Sequence, residues 1–256
     1  MNLLTGKKAV ILGLANDRSI AWGIAKAFKE NGAELALTYQ NEVMEKRVRP
    51  LAEQLGVKLV LPCDVSDDYQ IKNVFSILKK EWGTMNILVH SLAYADKEEL
   101  KGSILDTSRV GFNLAMETSV YSLLAVAREA HPLLEKNNSN ILAMTYYGAE
   151  KVFPNYNVMG VAKAALESSV RYMAAHLGKD GIRVNAVSAG PIKTLASAGI
   201  SGFKELGKQV AHRAPLQYGL TNNDVANSCL YMVSDLAKNV TGEIHFVDNG
   251  FNIMGF

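Results

Sequence analysis

Seven short apolar runs, most of them rich in β-branched residues, recur along the chain at residues 9–12, 35–38, 59–61, 87–90, 141–145, 183–188 and 244–247. Runs of this length and composition are strand candidates. Between them lie stretches with helical spacing, as in Ile20, Ile24, Ala27 and Phe28, closed by Gly32 just past the last periodic residue, the place a terminating glycine takes. Strands apolar on both faces, joined by crossover helices, require a parallel sheet covered on both sides. The expected fold is therefore α/β: a Rossmann, doubly wound parallel sheet of about seven strands. No linker, low-complexity tract or internal repeat divides the chain, so residues 1–256 are expected to form a single domain.

Composition narrows the partners. With 27 basic and 25 acidic side chains the formal net charge is +2, too small a field to steer the chain to nucleic acid or a bilayer. Cys63 and Cys229 lie far apart without a metal-ligand spacing, which predicts buried thiols and no metal site. The opening MNLLTGKKAVIL fits neither a signal peptide nor a membrane span, and a cytoplasmic location is expected. One stretch, from 190 to about 207, is rich in Gly, Ala and Ser and shows no strong periodicity. It follows the sixth strand, on the side where open α/β sheets bind ligands, and reads as a substrate-binding loop or helix insertion that closes as a lid, with an idle surface excursion as the alternative.

The first strand runs into Gly13-Leu14-Ala15-Asn16-Asp17-Arg18-Ser19-Ile20 and then a helix containing Gly23. This is the context of a phosphate-binding turn. It is not a regular GxGxxG, however: Ser19 stands where a glycine might be expected, and its hydroxyl suits both a helix cap and a phosphate oxygen. Read alone, the segment fits a plain helix cap equally well. The second strand ends at Gln40, where an acid would take an adenosine 2′-hydroxyl and an arginine a 2′-phosphate. Gln40 is neither. Its uncharged amide predicts NADH rather than NADPH, unless Lys46 or Arg47 folds back. Asp64 and Val65, after the third strand, suit an adenine pocket, although an Asp capping the next helix would look the same.

Tyr156 and Lys163 are seven residues apart, and two turns of about 3.6 residues return them to nearly the same helix face. An adjacent ammonium favours the phenolate and would make the phenol a better donor to developing negative charge. Two amphipathic residues on a half-exposed helix would show the same spacing.

The segments GLANDRSIAWGIA, LTYQN, CDV, PNYNVMGVAKAALE, RVNAVSAGPIKTLASAG and VDNGF follow one another in this chain. In that order they resemble the short-chain dehydrogenase/reductase superfamily and, within it, the divergent enoyl-[acyl-carrier-protein] reductases of bacterial fatty-acid synthesis. That group is marked by Tyr-x6-Lys in place of Tyr-x3-Lys, and here the residue four after Tyr156 is Gly160. The resemblance covers essentially the whole chain. It implies hydride transfer from NADH to an enoyl thioester borne by acyl carrier protein, with Tyr156 on the thioester carbonyl, Lys163 on the nicotinamide ribose and Tyr146 lining the acyl pocket as a second catalytic tyrosine. It further implies cofactor contacts from Gly13, Ser19, Ile20, Gln40, Asp64, Val65, Leu92, Ile192, Lys193, Thr194, Leu195 and Ala196, with Ala95 near the substrate. Two departures stand out: Ser91-Leu92-Ala93 differs from the more frequent Ser-Ile-Gly or Ser-Ile-Ala, and Asn249 replaces a common glycine. The rivals are a carbonyl reductase of the same superfamily and a silent dinucleotide-binding regulator. The apolar series Leu166, Val170, Met173 and Leu177 on the Lys163 helix reads as an excess over what one sheet face needs, and so predicts a homotetramer, or else a dimer.

Overall fold

The computed structural model describes residues 2–255 except 196, 198 and 199. Its strands are β1 (Lys8–Leu12), β2 (Glu34–Tyr39), β3 (Leu59–Pro62), β4 (Ile87–His90), β5 (Ser139–Thr145), β6 (Ile182–Ala189) and β7 (Ile244–Val247), each overlapping a run read from the sequence. The helices are α1 (Ile20–Glu30), α2 (Glu42–Gln54), α3 (Asp68–Trp82), α4 (Arg109–Met116), α5 (Ser122–Ala130), α6 (Asn157–Leu177), α7 (Phe203–Arg213) and α8 (Asn222–Val233). All seven strands are parallel, in the order β3-β2-β1-β4-β5-β6-β7. The order reverses between β1 and β4, so the loops leaving those strands diverge and open a crevice at their carboxyl ends.

Side-chain alternation divides the core in two. Val10, Leu12, Leu88, Ile141, Ala143, Val184 and Ala186 point to the layer of α3, α5 and α6, whereas Ala9, Ile11, Leu35, Leu37, Val89, Leu142 and Val187 point to α1, α2 and α8. Helix α1 shows why its sequence is helical and where it packs. Ile24 and Phe28, four apart, are fully buried against the sheet, each contributing about 1.5–3 kcal/mol. On its α8 side a Cβ at Gly23 would come within 2.8 Å of Asn222 O, so only glycine allows the two helices to approach this closely. Gly32, at φ +92, turns the chain out of the helix.

Two expectations need correction. Leu166 and Val170 are fully buried and Met173 nearly so, all packed in the sheet-facing core with Leu177 against it. The apolar series is thus what the sheet itself uses, because the 21-residue helix packs along β5 and β6. The apolar surface left over is elsewhere, at Val161 and Tyr172 on α6 and at Phe112 and Leu124 on α4 and α5. The stretch expected to be irregular as far as about 207 also becomes helical sooner, since α7 starts at Phe203 behind the left-handed Gly202 and contains Gly207. Segment Arg109–Leu133 is long and apolar enough to cross a membrane by composition, yet half of its most apolar window is buried, where α5 packs on α3 and β4. Cys63 and Cys229 are both buried and free, and burial pushes both thiols up, Cys63 to about 12.

Candidate active site

Parallel register brings the expected residues to one edge of the sheet, because Gly13, Gln40, Asp64, Leu92, Tyr146 and Ile192 each follow the carboxyl end of a strand. At the switch point Gly13 adopts φ +95, and a Cβ there would lie 2.0 Å from Ser91 O. Only glycine lets the β1 and β4 loops cross. Ser19 precedes α1 but does not cap it: its hydroxyl accepts from the amides of Ala15 (3.2 Å) and Asn16 (3.1 Å). The expected cap is therefore corrected. The loop bends back over Ser19 and takes up the oxygen, and Asn222 Nδ2 at the start of α8 clamps the same loop through Arg18 O at 2.7 Å. Ile20 opens α1 beside it.

Across the crevice Gln40 Nε2 donates to Asp64 Oδ2 at 3.1 Å. Because only the nitrogen can donate to a carboxylate, the amide carbonyl is left to accept, which suits a ribose hydroxyl. Burial opposes ionisation of Asp64, but hydrogen bonds from the Ser66 amide, the Ser66 hydroxyl and Gln40 outweigh it and hold the carboxyl below its usual range. Helix α3 is capped by Asp67, so Asp64 is not a cap. Val65 is buried beside it. Arg47 lines a shallow depression with Asn16, Asp17, Trp22, Leu51 and Gln54, while Lys46 lies on the same helix.

At the other end Tyr146 stacks between Phe153 and Tyr156, with ring centroids 5.0 and 5.1 Å away and the Tyr156 contact T-shaped. Its buried hydroxyl has no partner among the described residues. Tyr156 presses on Gly148, where a Cβ would meet the ring at 2.6 Å. Gly160 is equally confined, since a Cβ there would sit 2.9 Å from Gly148 O. A lysine four residues after Tyr156 has no room, and the cation is supplied one turn later by Lys163, whose Nζ donates to Met144 O at 2.8 Å. Burial lowers Lys163 to about 8, with Glu167 pulling the other way. Tyr156 departs from expectation: burial first, then Tyr146 and Glu167, push its hydroxyl well above the ordinary tyrosine range. One of the three lysine N–H groups goes to the strand, and the raised Tyr156 hydroxyl favours the neutral phenol, a donor rather than a phenolate. Tyr146 is raised too, by burial and then by Asp248.

Loops close over this end. Asn155, in the left-handed region at φ 58, donates through Nδ2 to Ser201 O, and Asn157 reaches Lys101 O and Gly102 O. Thr194 and Ser197 cross-bond, Thr194 N to Ser197 Oγ and Ser197 N to Thr194 Oγ1. Ile192 packs on the core, Lys193 and Leu195 are exposed and Thr194 is half-buried. Leu92 and Ala95 pack against the α6 side of the core. Ala196 and Gly199 lie outside the described residues. Gly190, where the Gly-, Ala- and Ser-rich stretch begins, is closely packed, since a Cβ there would meet Leu220 at 3.0 Å and Asp248 Cα at 3.1 Å.

A protein-family model described as enoyl-(acyl carrier protein) reductase matches residues 13–252. The chain belongs to that family. It is 53% identical over 255 residues to the NADH enoyl-[acyl-carrier-protein] reductase of Aquifex aeolicus, covering 100% of this chain and 94% of the relative. The solved structure of the Aquifex aeolicus enzyme superposes with a TM-score of 0.96 over 99% of both chains. A reductase from Anaplasma phagocytophilum, solved with NAD, is 50% identical and gives 0.94 over 99% of this chain and 95% of that one. The Bacillus cereus enoyl-acyl carrier protein reductase, solved with NADP+ and an indole naphthyridinone, is 48% identical and gives 0.96 over 100% of both.

Within this reductase fold several site residues escaped the reading from sequence. His90 is fully buried at the end of β4 with Nε2 on Ser122 Oγ at 2.8 Å. The Ser122 hydrogen goes to Thr118 O, so Nε2 must be the donor, and Nδ1 has no partner among the described residues. Glu167 sits under the β5 end. Asp248 accepts from the amides of Gly250 and Asn252 and shapes the terminal turn. The departure at Asn249 has a physical reason: its φ of 60 is the conformation glycine would supply, and asparagine tolerates it while donating to Tyr218 O.

Proposed function

We propose that Tyr156 meets the thioester oxygen, and Lys163 the nicotinamide ribose, in the reaction this family performs: NADH-dependent reduction of the trans-2-enoyl thioester carried on acyl carrier protein in fatty-acid synthesis. The observation that carries the assignment is the confinement of Gly148 against the Tyr156 ring and of Gly160 against Gly148 O, which makes room for the tyrosine and leaves Lys163, three residues after Gly160, as the partnering cation. A Tyr-x3-Lys carbonyl reductase cannot be built on that contact.

The residues present fit a dinucleotide: the Gln40 amide carbonyl is left free to accept, and Gly13 sits at the tight crossing of the β1 and β4 loops, where backbone can approach a pyrophosphate. Gly13, Ser19 and Ile20 would take the pyrophosphate, Gln40 the adenosine ribose, and Asp64 and Val65 the adenine. Leu92, Ile192, Lys193, Thr194 and Leu195 would line the nicotinamide end with Lys163. When bound, NADH would supply hydride to the β-carbon of the enoyl group. Tyr156, still protonated, would donate a hydrogen bond to the thioester oxygen where the charge collects. Such a donor in a water-poor site contributes about 3–4 kcal/mol. A proton taken up from solvent at the α-carbon would complete the saturated thioester. Lys163 orients the ribose and adds positive potential. Tyr146, with its unpartnered hydroxyl, walls the acyl pocket beside Ala95. Purified protein with crotonyl thioester should consume NADH and yield the saturated thioester in equal amounts. Reduction of ketones instead, or no turnover, would refute the assignment.

Gln40 and the ionised Asp64 also set cofactor choice, because a 2′-phosphate would meet a carboxylate and no guanidinium at this position. NADH should exceed NADPH in kcat/KM by at least about tenfold, or about 1.4 kcal/mol of unfavourable interaction. Equal values would mean that Arg47 swings from its depression to the phosphate.

The chain is read as one domain over residues 1–256 that works in the cytoplasm as a homotetramer, with a dimer as the alternative. The exposed Val161 and Tyr172 of α6, with Phe112 and Leu124, offer apolar faces that symmetric copies would cover. Light scattering at micromolar concentration should give four times the 27.9 kDa chain mass. A monomer would refute it, and Tyr172→Glu should shift the population toward smaller species.

A further inference from the structure

We infer that Glu167 is a positioning residue for the reduction: its buried carboxylate is the fixed counter-charge that keeps the Lys163 side chain an ammonium and holds it at the end of β5. The inference rests on the assignment of Lys163 to the nicotinamide ribose. The two residues are four apart on α6, hence on adjacent turns of one face, and are only 6% and 5% exposed. They are tied to consecutive residues of the strand end, Lys163 Nζ to Met144 O at 2.8 Å and Thr145 Oγ1 to Glu167 Oε1 at 2.7 Å. The next residue is Tyr146. Helix and strand are thus stitched by one cation and one anion immediately before the catalytic tyrosines.

A buried ammonium without a counter-charge sheds its proton rather than remain unsolvated. Burial already brings Lys163 down to about 8 against the opposing pull of Glu167. The other groups nearby do not substitute. His90, on β4, is pushed down to about 3 by burial and then by Lys163, and stays neutral. Tyr156 and Tyr146 are raised and uncharged. Glu150, from the turn after β5, and Arg171, one turn on along α6, act on Glu167 in opposite senses. Burial raises Glu167 itself, and the Thr145 hydrogen bond is the largest opposing effect.

The test is the NADH dissociation constant, measured by fluorescence from pH 6 to 9, for the parent, Glu167→Gln and Glu167→Asp. In the parent, affinity should fall as pH rises through about 8, the value to which burial lowers Lys163. Glu167→Gln should move that fall down by about one unit, weakening NADH about fivefold at pH 8 and less than about twofold at pH 6. Glu167→Asp, which retains the charge, should stay near the parent. An unmoved limb in Glu167→Gln overturns the inference, as does an equal shift in both variants, which would mean that Glu167 acts by packing. A parent with no alkaline fall refutes the Lys163 assignment, and this inference with it. If Glu167→Gln is too unstable to assay, thermal unfolding decides. Adding Lys163→Met should restore stability by removing the orphaned cation, and a double variant no more stable than Glu167→Gln overturns the proposal.

Discussion

Tyr156→Phe is expected to lower kcat for an enoyl thioester by about 10²–10³ while leaving the NADH dissociation constant within about twofold of the parent. The substitution removes one oxygen from a ring that packs on Tyr146 and Gly148, so the fold and the cofactor crevice should persist. What disappears is a hydrogen bond that strengthens only as charge develops on the thioester oxygen, and for that reason the loss falls on kcat rather than on ground-state binding. The raised Tyr156 hydroxyl adds a second expectation. Between pH 6 and 10 the parent should show no fall in rate from ionisation of this tyrosine. A Tyr156→Phe enzyme with full kcat would move the donor role elsewhere, and Tyr146, whose hydroxyl lacks a partner 5.1 Å away ring to ring, would be the place to look.

Lys163→Met should behave differently, weakening NADH binding by about 10- to 100-fold, as expected for one lost charge-assisted hydrogen bond, and lowering kcat as well. Methionine fills the buried volume and carries no donor, so the effect reads the ammonium and not a cavity. The pH dependence has a definite sign. Lys163 is lowered to about 8 by burial, so the parent has its full cofactor affinity below that pH and loses it as the proton leaves above it. Lys163→Met should be weak at every pH and show no such limb. Cofactor titration by fluorescence at several pH values is sufficient. If Lys163→Met binds NADH as tightly as the parent, the ribose assignment fails.

The two residues were legible in the sequence for different reasons than they act. Their seven-residue separation, read as two helical turns, put Tyr156 and Lys163 on one helix face; in the fold Tyr156 immediately precedes α6 and Lys163 lies within it. The expectation that the ammonium favours the phenolate, and so sharpens the phenol as a donor, weighed a charge partner and could not weigh burial. In the fold the lysine turns to Met144 O and the low dielectric keeps the tyrosine neutral. Ser19 failed in the same way: a hydroxyl before a helix reads as a cap, but the loop folded back and used the oxygen first. The apolar series on α6 was misread as surplus, since the width of sheet a helix covers is not written in its own periodicity.

Local pattern by itself determined the seven strands, the helices between most of them, the parallel sheet and the strand-end positions of Gly13, Gln40 and Asp64. These follow from side-chain periods and short-range turn chemistry, which act over a few residues, whereas Leu92, Tyr146 and Ile192 were implied only by the family resemblance. Tertiary structure alone decided which polar groups are sealed from water and what they face: the Gly148–Gly160 contact that shuts out a nearer lysine, the bare Nδ1 of His90, and the paired burial of Lys163 and Glu167 beneath β5. Desolvation and steric exclusion depend on atoms brought together from distant parts of the chain, and so the chemistry of this site is set where the strand ends meet rather than where its residues stand in sequence.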